Sequence, residues 1–173
     1  MAQALWIPVK AELAQALIER SWRAALNGET DSRPWPWADT RPAAEIEVPA
    51  LGIRQVVLEG NSGRNLAFGP VFLDGTSSGR DMIISGHRDT HFRFLASLRD
   101  GDLIQLRRKQ TSQWFEVRGM EVVDSRRVDL VIEPGLDRIS LVTCYPFDSP
   151  SAGGPLRYVV TALPVKRRLP SSG

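Results

Sequence analysis

Cys144 is the one cysteine in the chain, and it ends the short apolar, β-branched run Ile139-Ser140-Leu141-Val142-Thr143-Cys144. His87 closes a similar run, Asp81-Met82-Ile83-Ile84-Ser85-Gly86-His87, and Arg157 opens a third, Arg157-Tyr158-Val159-Val160-Thr161-Ala162-Leu163. A thiol, an imidazole and a guanidinium together suit acyl transfer. The cysteine is the nucleophile, the histidine moves protons, and the arginine holds an oxyanion or the substrate backbone. Each has a plainer reading alone. A lone cysteine is more often a small buried hydrophobe, a histidine at a strand end is more often structural, and an arginine beside Gly153-Gly154-Pro155 is usually a solvated loop charge. The joint pattern favours chemistry, because strand ends present functional groups on a rigid frame. The thiolate is the reactive form. Arg157 and a protonated His87 would favour it, while burial by Leu141, Val142 and Tyr145 would oppose it.

His87 and His91 are four residues apart, a spacing that binds zinc when it falls on a helix with Glu after the first histidine. Arg88 stands in that place, and Gly86 with the strand before it puts His87 ahead of any helix, so the reading is metal: none. The triplet His87-Arg88-Asp89 matches a kinase catalytic loop by letters only, without the glycine-rich loop that chemistry needs. His91 is expected to support structure or substrate contacts.

The elements that carry these residues are mostly short strands. From about residue 44, Ile46 and Val48 alternate with Glu45 and Glu47. Val56-Val57-Leu58 follows a turn at 49–52. The loop 59–65, rich in Gly and Asn, leads to an apolar stretch over 68–73, and further strands are expected at 81–87, 103–109, 113–118, 121–124, 139–144 and 157–163. Residues 91–98 read as a short helix. Many short strands with almost no βαβ alternation argue for an all-β chain closed, or nearly closed, into a barrel. Ahead of them, Leu13, Leu17, Ile18, Trp22 and Leu26 recur at helical spacing over 9–27, with Asn27-Gly28 as the stop. Arg33-Pro34-Trp35-Pro36-Trp37-Ala38-Asp39 then reads as a stiff, extended arm. Its two indoles are expected to find cover, with Trp35 or Trp37 lying over an apolar groove near Cys144 or pinning the arm away from it.

With 173 residues the chain is one domain plus an appendage, and 42% hydrophobic and 24% charged residues are ordinary for a globular chain. A net charge of +2 leaves no electrostatic footprint for nucleic acid. A single cysteine excludes an internal disulfide. No stretch approaches the roughly 20 apolar residues of a membrane span.

Three words occur in order: Ser85-Gly86-His87-Arg88-Asp89, Leu141-Val142-Thr143-Cys144 and Gly153-Gly154-Pro155-Leu156-Arg157-Tyr158. This order resembles the sortases, cysteine transpeptidases of bacterial surfaces, over about residues 43–165. Pro34-Trp35-Pro36-Trp37-Ala38-Asp39, Leu66-Ala67-Phe68-Gly69-Pro70, Gly86-His87-Arg88-Asp89-Thr90-His91-Phe92 and Thr143-Cys144-Tyr145-Pro146-Phe147-Asp148 are similar to the sortases of Gram-negative proteobacteria, the marine proteobacterial type (class GN). Ser140 departs from the pattern, standing where many sortases have Thr.

The resemblance implies an eight-stranded barrel with Cys144 and Arg157 on neighbouring strands. It also implies a division into an N-terminal helix and arm (1–42), a catalytic barrel (43–165) and a tail (166–173). It implies cleavage of the C-terminal sorting signal of a secreted protein through a thioacyl enzyme, and transfer to an amine nucleophile with no cofactor. His87, Cys144 and Arg157 are the implied catalytic residues. Thr143, Asp148 and Ser85 are candidates for substrate contact or for supporting those three. Asp148 would orient His87 or Arg157, and the Thr143 hydroxyl would meet a substrate or oxyanion. A membrane anchor, absent from this chain, would hold the enzyme on the inner membrane facing the periplasm. Two other classes remain open. An L,D-transpeptidase would place Ser-His-Gly before the cysteine, where Leu-Val-Thr stands here. A non-catalytic barrel that binds a partner would use Cys144 as core.

Overall fold

The computed structural model describes residues 2–60, 62–129, 131–133, 135–151 and 153–166. The C-terminal tail beyond residue 166 lies outside the described residues. Alternation builds the first ladder. In β1 (Pro42–Val48), Ala44, Ile46 and Val48 are fully buried in the core, and an antiparallel β2 (Ile53–Leu58) adds Val57 to the same cluster. Gly52, in the left-handed region at φ 62°, makes the tight connection between them.

The chain continues through a one-turn helix α2 (Gly63–Leu66), β3 (Val71–Phe72), β4 (Asp81–Ser85), β5 (Leu103–Arg108), β6 (Ser112–Asp124), β7 (Arg138–Cys144) and β8 (Leu156–Val165). Among the described residues these eight strands close into a barrel in the order β1-β2-β3-β4-β7-β8-β6-β5, with β5 returning to β1. The fold expected from the sequence is therefore the fold observed, with closure leaving no open sheet edge.

The apolar runs at β4, β7 and β8 are continuous rather than alternating because both faces of this part of the sheet are covered. Met82, Ile84, Ile139, Leu141 and Val160 face the barrel interior. Ile83, Val142 and Val159 form a second cluster on the other face, backed by Leu73 and Val123.

Several boundaries differ from the sequence reading. The expected strand over 68–73 shrinks to Val71–Phe72, because Phe68 and Gly69 both donate to the Asn65 carbonyl and finish the turn after α2. The strands expected at 113–118 and 121–124 are one strand, β6, with a bulge: Val117 faces Ala162, Gly119 faces Thr161, and Arg118 is the extra residue. The segment after His87 forms a 3₁₀ turn at Arg93–Ser97 rather than a helix over 91–98.

Helix α1 (Ala2–Leu26) starts earlier than expected and runs through Pro8. Its end is as read. Gly28 sits at φ 94°, its N–H bonds the Ala25 carbonyl, and the Glu29 N–H bonds the Ala24 carbonyl, which closes a Schellman motif. Ile18, Trp22 and Ala25 of α1 pack on Val56, Leu58 and Val71 on the outside of the barrel.

The Pro-Trp arm is not extended. Ala38 N–H bonds the Trp35 carbonyl at 3.0 Å, so Trp35–Ala38 is a turn with Pro36 at the position its fixed φ favours. Trp35 finds cover, edge-on to Phe68 with ring centroids 4.9 Å apart. Trp37 does not: it is 83% exposed, against the expectation that both indoles would be covered. Both indoles line one open cleft with Leu13, Leu17 and Phe68, but only Trp35 is packed into it.

Candidate active site

Strand direction brings the three chemical residues to one rim. β4 and β7 are parallel neighbours, with Ser85 opposite Val142, so their C-terminal ends emerge on the same side. β8 runs antiparallel to β7, so its first residues meet the end of β7, and Cys144 and Arg157 are register partners. Residues that are 57 and 13 positions apart from Cys144 along the chain thus share one end of the barrel.

The far end of the β4–β7 pair is pinned by charge. Asp81 is buried, its Oδ1 accepts from Arg138 Nε at 2.9 Å, and its Oδ2 accepts from Arg138 Nη2 at 3.1 Å and from the Glu133 N–H at 2.8 Å. Burial opposes ionisation of this carboxyl, but the Arg138 side-chain bonds, the Glu133 N–H and the Arg138 charge outweigh it and hold its pKa below the ordinary value.

At the chemical end, Cys144 is half-buried at the last position of β7. Arg157 Nη1 donates to the carbonyls of Gly154 and Leu156, while Nε and Nη2 have no hydrogen-bond partner among the described residues. Those free donors can take an oxyanion or a peptide carbonyl. His87 is exposed just beyond β4, and its carbonyl accepts from the Phe92 N–H at 2.9 Å. Tyr145, Phe147 and Tyr158 form a three-ring aromatic group beside these residues, with Tyr145 and Tyr158 stacked at 6.1 Å and Phe147 edge-on to both. Burial, aided by Tyr145, pushes the Tyr158 phenol above its usual pKa, so it stays protonated.

The supporting candidates divide. Thr143 is buried and its Oγ1 donates to the Gly86 carbonyl at 2.7 Å, so the hydroxyl proton is committed to holding β7 against the His87 segment. Asp148 is exposed and hydrogen-bonds neither His87 nor Arg157 among the described residues. It adds to the field around Arg88 instead. Ser85 is half-buried at the end of β4, with Val71 on one side and Val142 on the other.

His91 lies on a cleft shared with Gln15 and Glu19 of α1. Burial holds its imidazole pKa below the ordinary value, with His87 adding in the same direction and a bond to the Ala67 carbonyl opposing them. Among the described residues no group of three or more His, Cys, Asp or Glu side chains converges on a point where a metal would sit.

Two features have a physical basis that only the folded chain reveals. Gly86 is glycine because a Cβ there would lie 2.5 Å from Cγ of Phe92, whose ring is fully buried against it. Arg88 is 5% exposed and reaches residues on the far side of Cys144, a contact between positions 58 and 61 apart.

A family model described as Sortase domain matches residues 46–165. Sortase D of Bacillus subtilis (strain 168) is 26% identical over 119 residues, which is 66% of this chain and 60% of that protein. The chain therefore spans about 60% of the length of this curated relative. Among solved structures, a Clostridium perfringens sortase D5 transpeptidase aligns with a TM-score of 0.68 at 19% identity, over 90% of this chain and 99% of the other. A lid mutant of sortase A from Corynebacterium diphtheriae aligns at 0.66 and 21% identity, over 95% and 98%. Sortase C of Clostridium perfringens, solved with the C-terminal cell wall sorting motif, aligns at 0.63 and 22% identity, over 91% and 90%. These structures share the barrel, and the family model covers it from β1 to the last residue of β8: the chain belongs to the sortase family.

Proposed function

We propose that this chain is a cysteine transpeptidase that cleaves the C-terminal sorting signal of a secreted protein and joins the new carboxyl end to an amine. The observation that carries the reading is the convergence of the ends of β4 and β7 with the start of β8, which puts Cys144 opposite Arg157 and His87 at the same rim. Cys144 Sγ attacks the scissile carbonyl carbon, and the carbonyl oxygen takes the negative charge beside the free Arg157 donors. His87 gives its proton to the leaving amine, the C–N bond breaks, and a thioester remains. The incoming amine attacks that thioester, His87 takes its proton, and the C–S bond breaks to release Cys144. Each step needs only these side chains and the two substrates.

The half-buried setting of Cys144 supports this reading over a barrel that uses the thiol as core. The words shared with sortases of Gram-negative proteobacteria support that type, with the barrel facing the periplasm and an anchor in the inner membrane. No helix of the described residues is long and apolar enough to cross a membrane.

The test uses the C-terminal sorting-signal peptide of a secreted protein encoded beside this one, with an added amine. Cys144→Ala is expected to abolish cleavage and transfer. His87→Ala and Arg157→Ala are each expected to reduce them by at least ~10²-fold, the scale of one acid–base or oxyanion group. Near-normal cleavage by the Cys144→Ala protein would overturn the reading.

A further inference from the structure

Arg88 is a buried cation that the acyl-transfer steps do not use. All three of its nitrogens are engaged. Nε donates to Asp89 Oδ1 at 2.8 Å and Nη2 to Asp89 Oδ2 at 3.0 Å, a bidentate pair. Nη1 donates to the Pro146 carbonyl at 2.8 Å, and Nη2 also donates to the Ser149 carbonyl at 3.0 Å. Covering a guanidinium costs desolvation, and a packed apolar residue would hold the loop at less cost. The fork of donors is what this position uses, because four acceptor oxygens on three residues lie in different directions around one planar group.

The neighbours of Arg88 make the arrangement two-sided. Before His87, Gly86 is tied to the β7 strand: its N–H bonds the Val142 carbonyl at 3.1 Å and its carbonyl accepts from Thr143 Oγ1 at 2.7 Å. After His87, Arg88 is tied to Pro146 and Ser149. The residues on both sides of His87 are therefore fastened to the residues on both sides of Cys144. The loop that Arg88 grips also carries Phe147, which packs on Tyr145 and Tyr158.

We infer that Arg88 is a positioning residue for acyl transfer: it clasps the loop after Cys144 to the turn that presents His87, so that nucleophile, histidine and aromatic wall keep one spacing. The inference rests on the transpeptidase reading above. Its electrostatics agree with its geometry. The Asp89 bond raises the Arg88 pKa above its already high ordinary value, burial opposes this, and Cys144 and Asp148 both add to it. The guanidinium thus adds positive charge to the surroundings of the thiol and is a mechanical link as well.

The test is the pH dependence of Cys144 alkylation by iodoacetamide in the full chain, together with native-state amide exchange over residues 145–151. In Arg88→Gln the alkylation profile is expected to move upward in pH, the direction that follows from losing a nearby positive charge. Arg88→Lys keeps the charge and loses the fork. It is expected to move the profile in the same direction by less and to speed amide exchange in 145–151 by about tenfold or more, with the rest of the barrel unchanged. An unshifted profile in Arg88→Gln overturns the inference, and so does an Arg88→Lys protein that matches the wild type in both readouts. If Arg88→Gln does not fold, Arg88→Lys decides alone. A wild-type Cys144 that resists alkylation in the native state, as a core thiol would, overturns both this inference and the transpeptidase reading. A reactive wild-type thiol with indifferent Arg88 variants removes only this inference.

Discussion

The hydroxyl of Thr143 donates to the carbonyl of Gly86 at 2.7 Å, across the parallel pair β4–β7 and one residue before each of Cys144 and His87. This bond, in a buried position, fixes how the two strand ends sit against each other.

Thr143→Val keeps the shape and the β-branching but strands the Gly86 carbonyl without its donor. A cost of about 1–3 kcal/mol is expected from an unsatisfied buried acceptor, with reduced transpeptidation because the His87 turn loses a fastening. Thr143→Ser keeps the donor and is expected to retain most activity. Denaturant melts and peptide cleavage assays on both variants check this, and equal behaviour of Val and Ser would refute it.

Gly86→Ala meets the Phe92 ring, since its Cβ would sit 2.5 Å from Cγ of a fully buried aromatic. Overpacking of this kind costs about 1–3 kcal/mol. The double variant Gly86→Ala with Phe92→Leu is expected to recover part of that loss by vacating the ring's space. Thermal unfolding of the single and double variants measures it, and a Gly86→Ala protein as stable as the wild type would show that the ring moves freely.

His91 sets an acid limit on stability. Its folded-state pKa is depressed, chiefly by burial, so the unfolded chain takes the proton first. Its contribution is therefore complete above the ordinary histidine pKa of about 6.5 and declines as pH falls toward the depressed folded value. Glu12 and Glu19 of α1 and Thr90 line the same cleft, and His87 repels added charge. Melting temperature is expected to fall between pH 7 and 5 in the wild type. The slope should be shallower in His91→Gln, which keeps a donor for the Ala67 carbonyl without titrating. An identical slope in the two proteins would rule His91 out as its source.

The two arm tryptophans separate cleanly. Trp35 packs on Phe68 beside the α1 face, whereas Trp37 is 83% exposed. Trp35→Ala is expected to lower stability by about 1–3 kcal/mol, below the cost of a fully buried indole. Trp37→Ala should stay within about 0.5 kcal/mol of the wild type. Neither should change iodoacetamide reactivity at Cys144 in folded protein, because Trp35 is anchored on the β2–β3 flank. A Trp37 variant with faster alkylation would make the arm a lid.

What the sequence determined by itself was the all-β barrel, the candidate trio His87, Cys144 and Arg157, and the stop of α1 at Gly28. All of these follow from local information: apolar runs of strand length, a chemically competent residue at each run's end, and a glycine where the chain must turn left-handed. The tertiary structure decided what depends on distant parts of the chain meeting. The parallel pairing of β4 with β7 and the register of Cys144 on Arg157 bring the trio to one rim, and no spacing along the chain encodes those pairings. The same holds for Thr143, whose hydroxyl is spent on Gly86, and for Arg88, passed over as part of a chance His-Arg-Asp triplet. The arm failed as an extended segment for a related reason. Proline restricts its own φ and the residue before it, which suits a turn as well as a strand, and only the packing of Trp35 on Phe68 selects between them.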